Sequence, residues 1–253
     1  VRSRGLGDVY KRQMAIDARD AAGFYATALG RHVALLLRQK LARLWPRMEG
    51  LSVLGIGHAG PCLHPWREQA RCIALSPNHM GAAPWPAGLA NLSCMAEAEA
   101  LPFADLSFDR ILLIHGLEQA ENARRTLREA WRVLKDDGRM IVVAPNRRGL
   151  WAYAESTPFG HGQPYSEGQL ARLLTGLFFQ VEAQTTALYT PPLLPAPLRR
   201  MAGLLEKAGP VLAPQFAGLT LAEVSKALHG AVPAGRMATA RRVLAGAGFS
   251  RAG

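Results

Sequence analysis

Three consecutive stretches decide the architecture: FDRILLIHG (108–116), ENARRTLREAWRVLKDDG (121–138) and GRMIVVAPN (138–146). The first and third are short runs dominated by Ile, Leu and Val, the composition of strands buried on both faces. Between them, Leu127, Ala130, Trp131 and Leu134 recur at helical spacing, and Gly138 stands where a glycine after a helix C-terminus belongs. Strand, helix, strand in about thirty residues is the unit of a parallel sheet.

The same alternation extends in both directions. LSVLGIG (51–57) and RCIALSP (71–77) read as strands, and ANLSCMAE (90–97) as a weaker third. Upstream, Phe24, Leu29, Val33, Leu36, Leu37, Leu41 and Leu44 mark one amphipathic helix over 18–45, stopped by Pro46. Downstream, Ser166 with Gln169 has capping-box spacing and opens a helix over 167–177. FFQVEAQTTALY (178–189) alternates as a strand, and residues 198–208 can be helical. GLTLAEVSKAL (218–228) could be helix or strand by pattern alone, its Ala, Leu and Glu favouring helix. The short connection between 178–189 and 218–228 suits an antiparallel strand pair, so 218–228 is read as a strand. The expected fold is a Rossmann-like, doubly wound α/β sheet with its last strand antiparallel, preceded by an accessory helix.

The chain has 253 residues, 49% of them hydrophobic and 19% charged, which excludes a disordered protein. The expected organisation is a foreign leader over 1–13 with Met14 as the start, the accessory helix over 14–47, one α/β domain over 48–230 and a basic tail over 231–253. No apolar run has the length of a membrane span. Cys62, Cys72 and Cys94 lack the spacing of a zinc site, so no metal is expected, and cytoplasm is the default compartment. The net charge of +11 comes largely from dispersed arginines, including the pairs Arg124-Arg125, Arg147-Arg148, Arg199-Arg200 and Arg241-Arg242. Without a polybasic run or an appended module, this reads as a solvated surface, and nucleic acid is not expected as a partner.

Gly55-Ile-Gly57-His-Ala-Gly60 follows the first strand and fits G-x-G-x-x-G, a tight turn that keeps side chains away from a ligand. A dinucleotide site would place a carboxylate near the end of the second strand, but Ser76 stands there. The next three motifs point elsewhere. Glu97-Ala-Glu-Ala-Leu-Pro-Phe103, the Phe108-Asp109 opening of a strand and the Trp131-Arg-Val-Leu-Lys-Asp-Asp-Gly138 helix end resemble, in order, a class I S-adenosylmethionine-dependent methyltransferase. The resemblance covers roughly 48–190 and is strongest over 97–146.

That resemblance implies a seven-stranded sheet, S-adenosylmethionine as cofactor and a small-molecule acceptor. It also implies positions. Gly55, Gly57 and Gly60 would pass the amino-acid part of the cofactor, and Ser76 would fall at its ribose. Glu97 and the Ala98 backbone would meet the adenine edge, with His115 and Gly116 near the methylsulfonium. His115 could act as a base held by Glu118, or simply cap a strand end. The long loop before helix 167–177 would carry the acceptor wall: Asn146, Arg148, Trp151, His161 and Tyr165, with His161 and Tyr165 also placed to assist catalysis. Trp131 and Trp151 could equally be core. His32, His64, His79 and His229 have no partners at ligand spacing and read as structural or surface residues.

The first half departs from the family pattern. Ser76 replaces the usual acid, Pro61 and Pro65 interrupt the helix expected after the glycines, and PNHMGAAPWPAGL (77–89) replaces the next one. An alternative therefore stands beside the enzyme: a methyltransferase fold that has lost its cofactor and serves as a binding or regulatory module. The accessory helix would be a lid or a dimer face.

Overall fold

A computed structural model describes residues 21–81, 84–192 and 202–228. The leader over 1–13, the tail over 231–253 and His229 lie outside the described residues. Seven strands form one sheet in the order β3-β2-β1-β4-β5-β7-β6. They are β1 (Ser52–Gly57), β2 (Arg71–Pro77), β3 (Ser93–Ala96), β4 (Phe108–Ile114), β5 (Leu134–Pro145), β6 (Phe179–Ala187) and β7 (Leu219–Lys226). The first five run parallel, and β7 inserts antiparallel between β5 and β6. The antiparallel pair expected at the sheet's end is present.

Both faces of the central strands are buried, so successive residues feed opposite cores. Val53, Leu112, Ile114, Ile141 and Val143 belong to one. Leu54, Ile56, Ile111, Leu113, Met140 and Val142 belong to the other. Helices α3 (Ala123–Val133) and α4 (Glu167–Thr175) cover the second face with Leu127, Ala130, Leu170 and Leu174. The first face is covered by α1 (Ala28–Leu44), which contributes Val33, Ala34, Leu37 and Leu41, together with the one-turn α2 (Gly60–Leu63). Each fully buried leucine stabilises the fold by roughly 1.5–3 kcal/mol, so the N-terminal helix is part of the core. Helix α5 (Ala202–Leu212) precedes β7. No helix among the described residues is long and apolar enough to cross a membrane.

Three boundaries differ from expectation. The N-terminal helix breaks at Thr27, whose hydroxyl donates to the Phe24 carbonyl (2.7 Å) and accepts from the Gly30 amide (3.0 Å), capping a new helix. Helix α3 stops at Val133 rather than near Gly138, which lies inside β5. The amides of Leu106 and Ser107 donate to the carbonyls of Arg132 and Val133, at 3.1 and 2.9 Å, so the helix end is satisfied without a glycine. Among the described residues the late helix runs Ala202–Leu212 and so ends beyond the expected 208, while 198–201 lie outside them.

The linked motifs have mechanical reasons. The Arg132 guanidinium donates to the carbonyls of Leu101 and Phe103 and to the carboxylates of Glu129 and Asp105, locking the Leu-Pro-Phe loop to α3. Asp109 accepts from the Ser52 amide (2.9 Å) and from Lys135 Nζ (2.7 Å), tying the start of β4 to β1 and β5. These bonds hold the Asp109 carboxyl below its ordinary range despite the opposing effect of burial, the largest single influence on it.

Candidate functional site

The carboxyl ends of β1, β2, β3 and β4 line up along one edge, where open α/β sheets take ligands. At the end of β1, Gly57 has φ +87. A Cβ there would strike the Ile114 carbonyl and the Gly116 backbone, so the glycine lets the turn lie directly against the end of β4. Gly55 faces Ala59 and Leu63 of the following turn, and Gly60 lies under the ring of Trp85. The Pro61 and Pro65 interruption is real: α2 ends at Leu63 and passes into a 3-10 turn over His64–Trp66. After β2 the chain makes another 3-10 turn, Asn78–Met80, in place of a longer helix.

His115 follows β4 with φ +58, an uncommon conformation for a residue with a side chain. Its ring is fully buried. Nδ1 lies 3.1 Å from Glu118 Oε1 and Nε2 lies 3.0 Å from the Tyr25 hydroxyl. In the tautomer that donates Nδ1–H to the Glu118 carboxylate, Nε2 accepts from the phenol. Tyr25 stacks on His58 (5.2 Å, 17° between planes), and Phe159 packs on the opposite side of His115 at 4.6 Å. Burial raises the Tyr25 phenol well above its ordinary range. Burial, followed by the neighbouring His115, lowers His58 to about 4. The second oxygen of Glu118 and the side-chain nitrogen of Gln119 are buried without a hydrogen-bond partner among the described residues.

Along the edge, Ser76 is half-buried near the end of β2, and Ala98 is buried just past β3. Asn78 Nδ2 donates to the exposed Glu97 carboxylate at 2.7 Å, a polar pair bridging the ends of β2 and β3. Asn78 was not legible as a site residue, because a lone Asn after a strand carries no signature. Tyr25, His58 and Phe159 were also missed. The available hint for Tyr25 was its position beside Phe24 on a helix, where two adjacent aromatics cannot share one stripe.

The segment after β5 divides the proposed acceptor wall. Asn146 and Arg148 line a polar cavity of about 340 Å³ with Ser166, Glu167, Gly168 and Gln215. Trp151 does not line it: the ring is 1% exposed, packs edge-on against Phe24 and Phe159, and donates its indole N–H to the Thr190 carbonyl (2.8 Å). Its assignment to the acceptor wall is corrected to a core residue. His161 bonds the Glu155 carbonyl at 2.8 Å and makes no hydrogen bond to His115. Tyr165 is buried, its backbone joined to Pro145 and Arg147, and its phenol is raised by burial and then by Glu118. The described residues contain no group of three His, Cys, Asp or Glu able to hold a metal ion.

Comparison with known proteins adds a family and a set of relatives. The sequence profile described as "Methyltransferase domain" matches residues 54–142. The chain is similar to the ubiquinone/menaquinone biosynthesis C-methyltransferase of Klebsiella pneumoniae, 48% identical over 48 residues. That match spans 19% of this chain and 19% of the relative. Among solved structures, a SAM-dependent methyltransferase from Thermotoga maritima superimposes with a TM-score of 0.57 at 18% identity, over 78% of this chain and 91% of that one. The 1,6-didemethyltoxoflavin-N1-methyltransferase of Burkholderia thailandensis, solved with 1,6-didemethyltoxoflavin and S-adenosylhomocysteine bound, gives 0.55 at 15% identity, over 89% and 91%. At these identities the structural likeness is one of fold, that of the seven-stranded α/β sheet.

Proposed function

We propose that this chain, which carries a methyltransferase domain over residues 54–142, transfers a methyl group from S-adenosylmethionine to a small-molecule acceptor. The observation that carries the reading is the convergence at one sheet edge of the Gly57 turn and His115, held between Glu118 and Tyr25. A buried carboxylate oxygen beside it has no hydrogen-bond partner among the described residues and can accept from a bound polar group. The donor set suits the cofactor. The turn Gly55–Gly60 would border its amino-acid part. Ser76, Asn78 and Glu97 would take the ribose and adenine hydrogen bonds with Ala98, and His115 with Gly116 would lie at the sulfonium end. When bound, that group supplies an electrophilic methyl on a positively charged sulfur.

The chain's own residues then provide alignment and a place for a proton. Methyl transfer is a displacement that gains mainly from positioning, and a base is needed only when the acceptor must lose a proton. Neutral His115 has Nε2 free to accept a proton once the Tyr25 hydroxyl turns aside, and Glu118 at Nδ1 stabilises the resulting imidazolium. Phe24, Phe159 and Trp151 form an aromatic cluster behind this pair and keep water out. Asn146, Arg148, His161 and Tyr165 are the proposed acceptor side, and the small molecule bound by the Burkholderia thailandensis neighbour supports that substrate class.

A second reading, a methyltransferase fold that has lost its cofactor and serves as a binding or regulatory module, is favoured by the half-buried Ser76 standing where the family has an acid. Calorimetric titration with S-adenosylhomocysteine separates the two. Saturable binding is expected, weakened about 10- to 150-fold by Glu97→Ala, the range of a charged hydrogen bond. Glu97 is exposed, so this variant leaves the core intact. A folded chain that shows no binding at millimolar ligand would remove the enzyme reading and leave the second.

A further inference from the structure

Helix α5 (Ala202–Leu212) is turned inside out. Only Ala202 is buried along it. Glu206 faces the protein, where its carboxylate accepts from the amides of Leu188 (3.2 Å), Tyr189 (2.7 Å) and Thr190 (3.2 Å). The helix's apolar side faces out, with Leu204 65%, Val211 77% and Leu212 79% exposed, followed by Phe216 at 58%. Surface helices normally do the reverse.

The exposed face continues onto the segment after β5. Asn146 Nδ2 donates to the carbonyls of Gln215 (3.2 Å) and Ala217 (2.9 Å), seating that segment against the turn that carries Phe216. There Leu150 is 58% and Tyr153 73% exposed. The Tyr153 hydroxyl donates to the Arg147 carbonyl at 3.1 Å, beside the exposed side chains of Arg147 and Arg148. Single exposed apolar residues need no explanation, but such a cluster beside arginines does.

We propose that this face docks on an anionic lipid surface, with Leu150, Val211, Leu212 and Phe216 entering the interface and Arg147 and Arg148 at the headgroups. Charge selects this occupant. Arg147 and Arg148 stand together, exposed, at the edge of this face on a chain of net charge +11. A second copy meeting this face across a two-fold axis would oppose arginines to arginines on two strongly basic bodies. An anionic bilayer accepts both the apolar side chains and the cations, and an amphipathic tyrosine suits its boundary. The inference uses none of the residues around His115 but shares Asn146 and Arg148 with the proposed acceptor side, so its test reads vesicle binding and not activity.

The test is co-sedimentation of the full chain with vesicles of phosphatidylcholine alone and with phosphatidylglycerol added, at low and high salt. The chain should sediment with the anionic vesicles at low salt and be released by high salt. Arg147→Gln with Arg148→Gln should lower partitioning by about thirty-fold, at roughly fivefold for each cation near the bilayer. Val211→Asp with Leu212→Asp should abolish binding, and both pairs should keep the parent's circular dichroism and melting temperature because the altered side chains are exposed. A folded parent that stays in solution with every vesicle, or variants that sediment as the parent does, would overturn the proposal. So would light scattering that reveals a dimer lost on the Val211 and Leu212 change, which would assign the face to a second copy.

Discussion

Acidification should expose the cost of keeping His58 neutral against Tyr25. Burial, then the neighbouring His115, lowers His58 to about 4, against 6.5 in the unfolded chain. The unfolded state therefore binds the extra proton first. The contribution of His58 is fully present above about pH 6.5 and is lost as pH falls from there toward 4. Working the linkage with these two values gives about 2 kcal/mol lost between pH 7 and pH 5. With a urea dependence of 2–3 kcal/mol/M for a domain of this size, the midpoint should fall by roughly 0.7–1 M. The assay is urea unfolding followed by tryptophan fluorescence at pH 7, 6 and 5, for the parent and for His58→Gln. Glutamine cannot titrate, so its midpoint should fall less by that amount. Equal slopes for the two proteins would refute the buried, neutral imidazole and the stack with Tyr25.

Other perturbations test neighbouring parts of the argument. Tyr25→Phe should cost about 1–3 kcal/mol, because it leaves Nε2 of a fully buried His115 without a partner, and differential scanning calorimetry should show the loss. Gly57→Ala should fail to give folded protein, since the new methyl meets the Ile114 carbonyl. Gly81→Ala, at a comparable φ of +69 but with open space around it, should only lower the melting temperature. Arg132→Gln should destabilise by about 1.5–3 kcal/mol and speed hydrogen exchange at the Leu101 amide, whose acceptor Glu129 is held by Arg132.

How much was legible depends on how local each feature is. Every strand from β1 to β7 was readable, but on different grounds: the doubly buried β1, β4 and β5 as apolar runs, β6 by its alternation, and β7 only through its short connection to β6. The helix ends were less readable. Gly138 looked like a cap, yet the carbonyls of α3 are taken by amides of Leu106 and Ser107, partners that sequence spacing cannot reveal. In the site, Glu118 was legible as a partner of His115 because three residues separate them on one turn. Tyr25 was not, since ninety residues separate it from that histidine. Trp151 went astray for a related reason: a tryptophan after a strand edge suits a pocket or a core equally well. Only the Thr190 carbonyl, reached through the fold, decides for the core.

The departures from the family pattern are connected. With Pro61 and Pro65 limiting α2 to one turn, that stretch alone offers little cover for the face of the sheet beside β1 and β2. The side chains that cover it come largely from outside: Val33, Leu37 and Leu41 from α1, and Trp45 against Trp66 at 5.5 Å. The same N-terminal segment delivers Tyr25 to His115. The N-terminal segment thus covers one face of the sheet and supplies the partner of His115 Nε2 at once. Removing residues before Ser52 should cost core stability and strip the hydrogen bond from His115 together. A truncated domain that stayed folded with an unchanged melting temperature would show that the helix is an appendage, contrary to the packing of Leu37 and Leu41.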